Sequence, residues 1–318
     1  MTPGERRGFE RALTRLGLNP FTNHTRLAQF ATTGLLFTLG CGTDFEEHPS
    51  RLEEPLIVAV EASPAEVRPG TRVSLRAVVA GPNVNSEPLD GFRFAFCRSP
   101  LAFGSAGDIN PDCFTGSRTT IDGDGPIVDA LVPLDACRLF GADPPPGDYR
   151  AMDPDETGGF YQPVLVTWHG AVTTFPLRLH CALPDASDDI ERQLTQDYVV
   201  NSRPTQPTIA MGDGIVETPT GLRMERTSTT FRVSLDANSA ETYVYYDSLR
   251  RKVSSRKEAL RVSVYSTLGD ITPSVRRFSE DETNLVGDFA WNNVSEGKTA
   301  HLWVVVADSR GAMSTLSF

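Results

Sequence analysis

From residue 55 to the end of the chain, short runs of alternating apolar and polar residues recur, separated by Gly, Pro, Asn and Asp. Long stretches with apolar residues three and four apart are scarce. In VSLRAVVA, Val73, Leu75 and Ala77 alternate with Ser74, Arg76 and Val78, and in TFRVSLDA, Phe231, Val233 and Leu235 alternate with Arg232, Ser234 and Asp236. Successive side chains of a strand point to opposite faces, so each run predicts a strand with one buried and one wet side. Sheets packed through such faces make sandwiches, and the expected fold class is all-β.

Two modules emerge. The first, residues 55–183, contains PLIVAVEA, RVSLRAVVA, FRFAFC, PIVDALVPL, PVLVTWHG and TTFPLRLHC as strands, with PAEVRPGTR as the turn between the first two. The segment DASDDIERQLTQDYVVN follows, the best helical stretch, with Asp185 or Ser187 as cap, acidic residues in its first turn and Ile190, Leu194 and Tyr198 on one face. It meets the proline-spaced SRPTQPTIAM, so residues 184–202 read as a helical linker. The second module, residues 203–318, is most regular in EALRVSVYSTLGDI, NLVGDFAWN and TAHLWVVVADSRGAMSTLSF. Val262 and Val264 alternate before a Gly-Asp turn, and Leu302, Val304 and Val306 alternate before SRGA reverses the chain.

An extended strand, a Pro-Gly turn and an alternating second strand resemble the opening of bacterial immunoglobulin-like domains. The closing pattern of an aromatic strand, a tryptophan strand and a WVVV-D-x-RG hairpin (Trp303 to Gly311) resembles Ig/PKD-like domains of exported bacterial proteins, particularly myxobacterial-type lipoproteins. This likeness implies two immunoglobulin-like β-sandwich modules joined by the short helix-containing linker. It carries no active residues.

At the other end, an apolar segment from Leu27 to Leu39 follows Arg6, Arg7, Arg11, Arg15 and Arg26. Positive, then apolar, then small is the pattern of a signal peptide, and a segment of thirteen residues, interrupted by Gln29, three threonines and Gly34, is too short for a membrane span, which needs about 20. Gly40 before Cys41 resembles the bacterial lipobox, although Thr38 stands where that family prefers Leu. The resemblance implies cleavage before Cys41 and lipidation of its sulfur, with residues 1–41 as signal peptide. Residues 42–54 are polar and acidic and read as a flexible tether. Gly42 after the cysteine, by resemblance to lipoprotein sorting, points to the outer membrane.

Residues 1–41 hold five Arg and two acidic residues, so the remaining 277 carry 25 basic and 39 acidic, a formal charge of −14. Such a body repels phosphate backbones, and no nucleic-acid partner is expected. Cys97, Cys113, Cys137 and Cys181 remain after the anchor, an even number suited to an oxidising compartment. Of three connectivities, Cys97 with Cys113 and Cys137 with Cys181 is favoured, because the first pair brackets the loop RSPLAFGSAGDINPD. Closely spaced ligand pairs for zinc are missing, and His180 beside Cys181 reads as a strand residue facing solvent.

Candidate chemistry is sparse. Ser254-Ser255-Arg256-Lys257 fits the S-x-x-K pattern of penicillin-interacting enzymes, yet SDN and KTG companions are missing and the run RRKVSSRKE reads as a loop. That run, Arg250 to Lys257, is the one basic cluster, able to meet an anionic headgroup or polysaccharide. DGDG at Asp122 to Gly125 and DPDET at Asp153 to Thr157 space carboxylates as calcium loops do, but turn formation explains both. GxSxG, HExxH and GxxxxGK[ST] are not found, and GSAG at Gly104 to Gly107 falls short of a nucleophile elbow. His169 and His301 adjoin strand tryptophans without a recognisable triad. Trp168, Trp291 and Trp303 could form a sugar platform, but their apolar strands favour the core. No cofactor and no metal is expected. The expectation is a lipid-anchored, non-catalytic binding, adhesion or scaffold protein of the outer membrane, with an envelope protein or polysaccharide as partner. A carbohydrate- or peptidoglycan-active hydrolase, with its site in the first-module loops, is the alternative.

Overall fold

Strand-forming alternation resolves into sheets in a computed structural model that describes residues 50–84, 89–101, 109–141, 156–183, 186–212, 215–218 and 221–318. All belong to one compact unit, Glu46–Phe318. Cys41 and the rest of the expected signal segment lie outside the described residues. The protein is mostly β, built from several sheets around two large apolar cores.

The strands toward the N-terminus are β1 (Leu56–Ser63), β2 (Glu66–Val67), β3 (Arg72–Ala80), β4 (Arg93–Cys97), β5 (Arg118–Ile121), β6 (Ile127–Leu131), β7 (Gly159–Trp168) and β8 (Ala171–His180). A sheet ordered β1-β3-β6 and another ordered β2-β8-β7-β4-β5 enclose the first core. Val73, Leu75 and Ala77 are buried in it while Arg76 is exposed, as alternation demands. All six strands expected here are present. β5 escapes the reading because three of its four residues are exposed and it lacks an apolar period. PAEVRPGTR is more than a turn: Glu66 and Val67 pair in parallel with Arg178 and Leu179, moving the chain from one sheet to the other. Disulfides join Cys97 to Cys113 and Cys137 to Cys181, with Cα atoms 5.2 and 5.7 Å apart, the favoured pairing.

The later strands are β9 (Thr208–Met211), β10 (Ile215–Thr218), β11 (Gly221–Met224), β12 (Thr229–Ser234), β13 (Thr242–Asp247), β14 (Lys252–Lys257), β15 (Leu260–Ser266), β16 (Asp270–Thr272), β17 (Val275–Phe278), β18 (Val286–Asn292), β19 (Thr299–Ala300), β20 (Leu302–Asp308) and β21 (Met313–Ser317). Sheets ordered β16-β18-β12-β9 and β17-β15-β20-β21 enclose the second core, with β10-β11-β19 completing it. Val262, Val264, Leu302, Val304 and Val306 all turn into this core.

Two regions depart from the expected pattern. β20 has no wet side: Trp303, Val305 and Ala307 are buried as well. Trp303 packs in a third cluster with Leu52 and Ala80, joined by Val58 and Tyr265, so the N-terminal half covers the face that alternation alone would leave to water. Ser50 to Leu52, part of the expected flexible tether, are docked rather than free. Leu52 N donates to Ser266 O at 2.8 Å, Ser266 N to Ser50 O at 2.8 Å, and Ile271 N to Ser50 Oγ at 3.0 Å. The linker helix spans Asp188–Asp197, with three acidic residues in its first turn and Leu194 buried.

Candidate functional site: two charged clusters between the cores

Parallel pairing of β2 with β8 sets Glu66 directly opposite Arg178, on the face of β8 turned away from the first core. Arg178 Nε lies 3.3 Å from Glu66 Oε2, Nη2 donates to Thr157 Oγ1 at 2.7 Å and Nη1 to the Tyr161 hydroxyl at 2.9 Å. The guanidinium occupies space left by Gly159, where a Cβ would collide with it. Just beyond the linker helix, the Tyr198 hydroxyl donates to Glu66 Oε2 at 2.7 Å, and the Asn201 amide donates to the same oxygen at 2.9 Å.

The second core contributes Arg310 from the β20–β21 hairpin. Its Nε donates to Glu258 Oε1 at 2.6 Å, Nη2 to Glu241 Oε2 at 2.7 Å, and Nη1 to Val199 O at 2.8 Å and the Tyr198 hydroxyl at 3.2 Å. The Tyr243 ring lies beneath the guanidinium, 4.4 Å from its carbon. Tyr198 thus touches both arginines. The side chains of Arg178, Glu66, Arg310 and Glu258 are at most 1% exposed.

Electrostatics follow from this geometry. Burial pushes the Glu66 carboxyl up, but the hydrogen bond with His180, the Arg178 charge and the Asn201 and Tyr198 hydrogen bonds outweigh it and bring it to about 2. Burial raises Tyr198 to about 12, keeping it a protonated donor. Glu258 is raised by burial against the pull of Arg310. Asp308, which accepts from Ala312 N at 2.9 Å, is raised to about 7 by burial and by the nearby Glu258 charge.

The second cluster is wet on its cationic side only, since the Glu61 side chain is 2% exposed. Glu61 on β1 accepts from Arg76 Nη2 at 2.7 Å, Arg203 Nη1 at 3.1 Å and Thr315 Oγ1 at 2.7 Å, the last from β21. Both arginine side chains are nearly half exposed, at 47% and 43%. They line a cleft of about 650 Å³ with Asn201, Gln206 and Ser314. A depression of about 570 Å³ beside the linker helix is lined by His180, Tyr198 and Leu194.

Sequence-derived candidates fall as follows. His180 faces solvent only in part: its side chain is 18% exposed, and Nδ1 lies 3.1 Å from Glu66 Oε1, because β2 brings the carboxylate beside it. Ser254 and Lys257 lie on β14 rather than in a loop, three residues apart, and a strand's two-residue period sends them to opposite faces. DGDG forms a bend after β5, and Asp124 O accepts from Phe92 N at 2.9 Å. Of DPDET, Glu156 and Thr157 are described, and Thr157 serves Arg178. GSAG lies outside the described residues. Trp168, Trp291 and Trp303 are all buried; Trp168 Nε1 donates to Asp90 O at 3.1 Å and Trp291 Nε1 to Leu268 O at 2.8 Å. His169 stacks on Trp168, and His301 lies 5.9 Å from Trp303. Among the described residues no three His, Cys, Asp or Glu side chains are grouped to hold a metal ion. No helix among them is long and apolar enough to cross a membrane.

Sequence reasoning missed Arg178, Arg310, Glu66 and Glu258. One signal was present: in FPLRLH, Phe175, Leu177 and Leu179 claim the core face, which leaves Arg178 on a face whose cover comes from elsewhere.

No family model matches the chain, and no curated protein matches it. Among solved structures, Escherichia coli alpha-2-macroglobulin activated by porcine elastase aligns at 10% identity and a TM-score of 0.21, over 86% of this chain and 22% of that one. The chicken CNTN1 FN1-FN3 domains align at 10% identity and 0.21, over 84% of this chain and 68% of that one. A Salmonella alpha-2-macroglobulin mutant gives 10% and 0.24, over 85% and 15%. The chain spans about a fifth of the length of the Escherichia coli protein.

Proposed function

We propose that this chain is an exported, lipid-anchored, non-catalytic protein of the cell envelope, a binding or scaffold subunit of two immunoglobulin-like sandwich modules. Residues 55–183 and 203–318 form the modules, the linker 184–202 joins them, and Cys41 carries the lipid that holds them at the outer membrane. The reading rests chiefly on the dry charged cluster. Glu66, Tyr198 and Arg310 are hydrogen-bonded partners within one network that ties the two halves together, while Asp308, the group shifted furthest, is buried and accepts from Ala312 N. The two disulfides support an oxidising location, extracellular or periplasmic.

The test is expression in a Gram-negative host, wild type beside Cys41→Ala, with intact mass and membrane fractionation. The expected result is a diacylglyceryl-modified chain beginning at Cys41 in the outer-membrane fraction, and release of the variant. An unlipidated wild-type chain would overturn the anchor. Small-angle scattering on the released protein tests the rigid joint: one particle dimension, unchanged by salt, is expected.

A further inference from the structure

The run RRKVSSRK, Arg250 to Lys257, is half of a β-hairpin in which β13 and β14 pair from Thr242↔Lys257 to Asp247↔Lys252, closed by the turn 248–251. The hairpin is braced at its root. Tyr243 is buried beneath Arg310, and Glu258 immediately after β14 is buried against the same guanidinium; nearer the tip, Tyr246 N donates to Glu156 O at 2.8 Å. At its tip Leu249 is 95% exposed, with exposed Ser248, Arg250, Arg251 and Lys252 around it, and the Ser248 amide donates to Glu156 Oε1 at 3.4 Å. Arg250 is held by Asp247 at 2.7 Å, and Arg256 stacks on Tyr245 with its guanidinium carbon 4.1 Å from the ring centre. A rigid finger therefore carries a fully hydrated aliphatic side chain that contributes nothing to the fold, ringed by cations on a body of formal charge −14 beyond Cys41.

We propose that this hairpin is a docking finger for an anionic lipid bilayer surface, with Leu249 entering the headgroup boundary and Arg251 and Lys252 meeting lipid phosphates. Charge complementarity selects the class of partner. An aliphatic tip with basic flanks fits a bilayer, whose interface accepts one apolar side chain beside cations. One leucine is far too little apolar area for a stable protein interface, which takes roughly 800 Å² from each partner. A polyanionic sugar or nucleic acid would use the cations and leave Leu249 in water.

The test uses the mature chain from Gly42 onward, which contains the whole compact unit Glu46–Phe318, so that neither an acyl group nor the basic, apolar residues 1–41 contribute, and sedimentation with vesicles of phosphatidylcholine alone or with phosphatidylglycerol added. Binding above the neutral-vesicle background is expected only with phosphatidylglycerol, and it should fall as salt rises. Arg251→Glu with Lys252→Glu should weaken it about 25-fold or more, at roughly fivefold for each cation lost. Leu249→Asp should weaken it about tenfold or more. In Leu249→Trp, the added emission should shift to the blue on phosphatidylglycerol vesicles alone. Equal binding by wild type and these variants, no preference for phosphatidylglycerol, or binding to an anionic polysaccharide without binding to vesicles would overturn the proposal. The altered side chains are solvent-exposed, so circular dichroism should show each variant folded.

Discussion

The two charged clusters between the halves use the same chemistry in different surroundings. In one, Arg178 and Arg310 are sealed from water with Glu66 and Glu258; in the other, Arg76 and Arg203 share Glu61 at the mouth of a cleft. An ion pair's strength depends on the medium between and around the charges as much as on their distance. The closest contacts are alike, 2.6 Å for Arg310 with Glu258 and 2.7 Å for Arg76 with Glu61. Solvent reaches the arginines of the second and neither partner of the first, so loss of one arginine leaves Glu61 its other hydrogen bonds, whereas in the dry cluster removal of one partner strands a charge. Geometry alone would rank them equal.

Arg310→Met should show the largest effect. Glu258 and Glu241 lose their shared cation, and urea unfolding should register a loss of about 3–5 kcal/mol. If the loss stays below that of an exposed pair, the distinction between dry and wet clusters collapses. Glu66→Gln should cost about 3 kcal/mol near pH 7, the linkage value of moving a carboxyl from 4.5 to about 2. Because the folded value is depressed, wild type holds this stabilisation fully above about pH 4.5 and loses it as pH falls toward 2. The gap between wild type and variant should therefore narrow over that window.

Asp308 runs the opposite way. Its folded value is raised to about 7 from 3.8, so the native state favours the protonated acid, and stability falls as pH rises from about 4 to 7. Asp308→Asn keeps an acceptor for Ala312 N, and it should raise stability at pH 8 by about 2 kcal/mol while changing little at pH 4. The smallest effect belongs to the wet cluster: Arg203→Ala should cost less than about 1 kcal/mol, and less still at high salt, by thermal unfolding.

Much of the fold was legible in residue order because alternation reports on a strand's own two faces. Val73, Leu75, Phe231, Val233 and Val262 read correctly for that reason. The cysteine pairing was legible too, since a short loop between Cys97 and Cys113 restricted the choice. β20 was only half legible: Trp303, Val305 and Ala307 are covered by residues from the other end of the chain, which no local period reveals. The charged clusters were opaque for the same reason. Arg310 lies 52 residues from Glu258, and Glu61 lies 254 from Thr315.

By itself, then, the sequence determined the strands with a clear apolar alternation, the helix between the halves, the excess of acid over base and the cysteines available for pairing, since each depends on composition or short-range spacing; β2, β5 and β14, which lack that alternation, were not among them. Only tertiary structure decided which wet faces would be dry. It turned Arg178 from a solvent residue into a buried ion by placing β2 beside β8 and Tyr198 over both. It also left Leu249 bare at the tip of a braced hairpin. Burial is a property of what comes to lie opposite a residue, and across long sequence separations folding sets that.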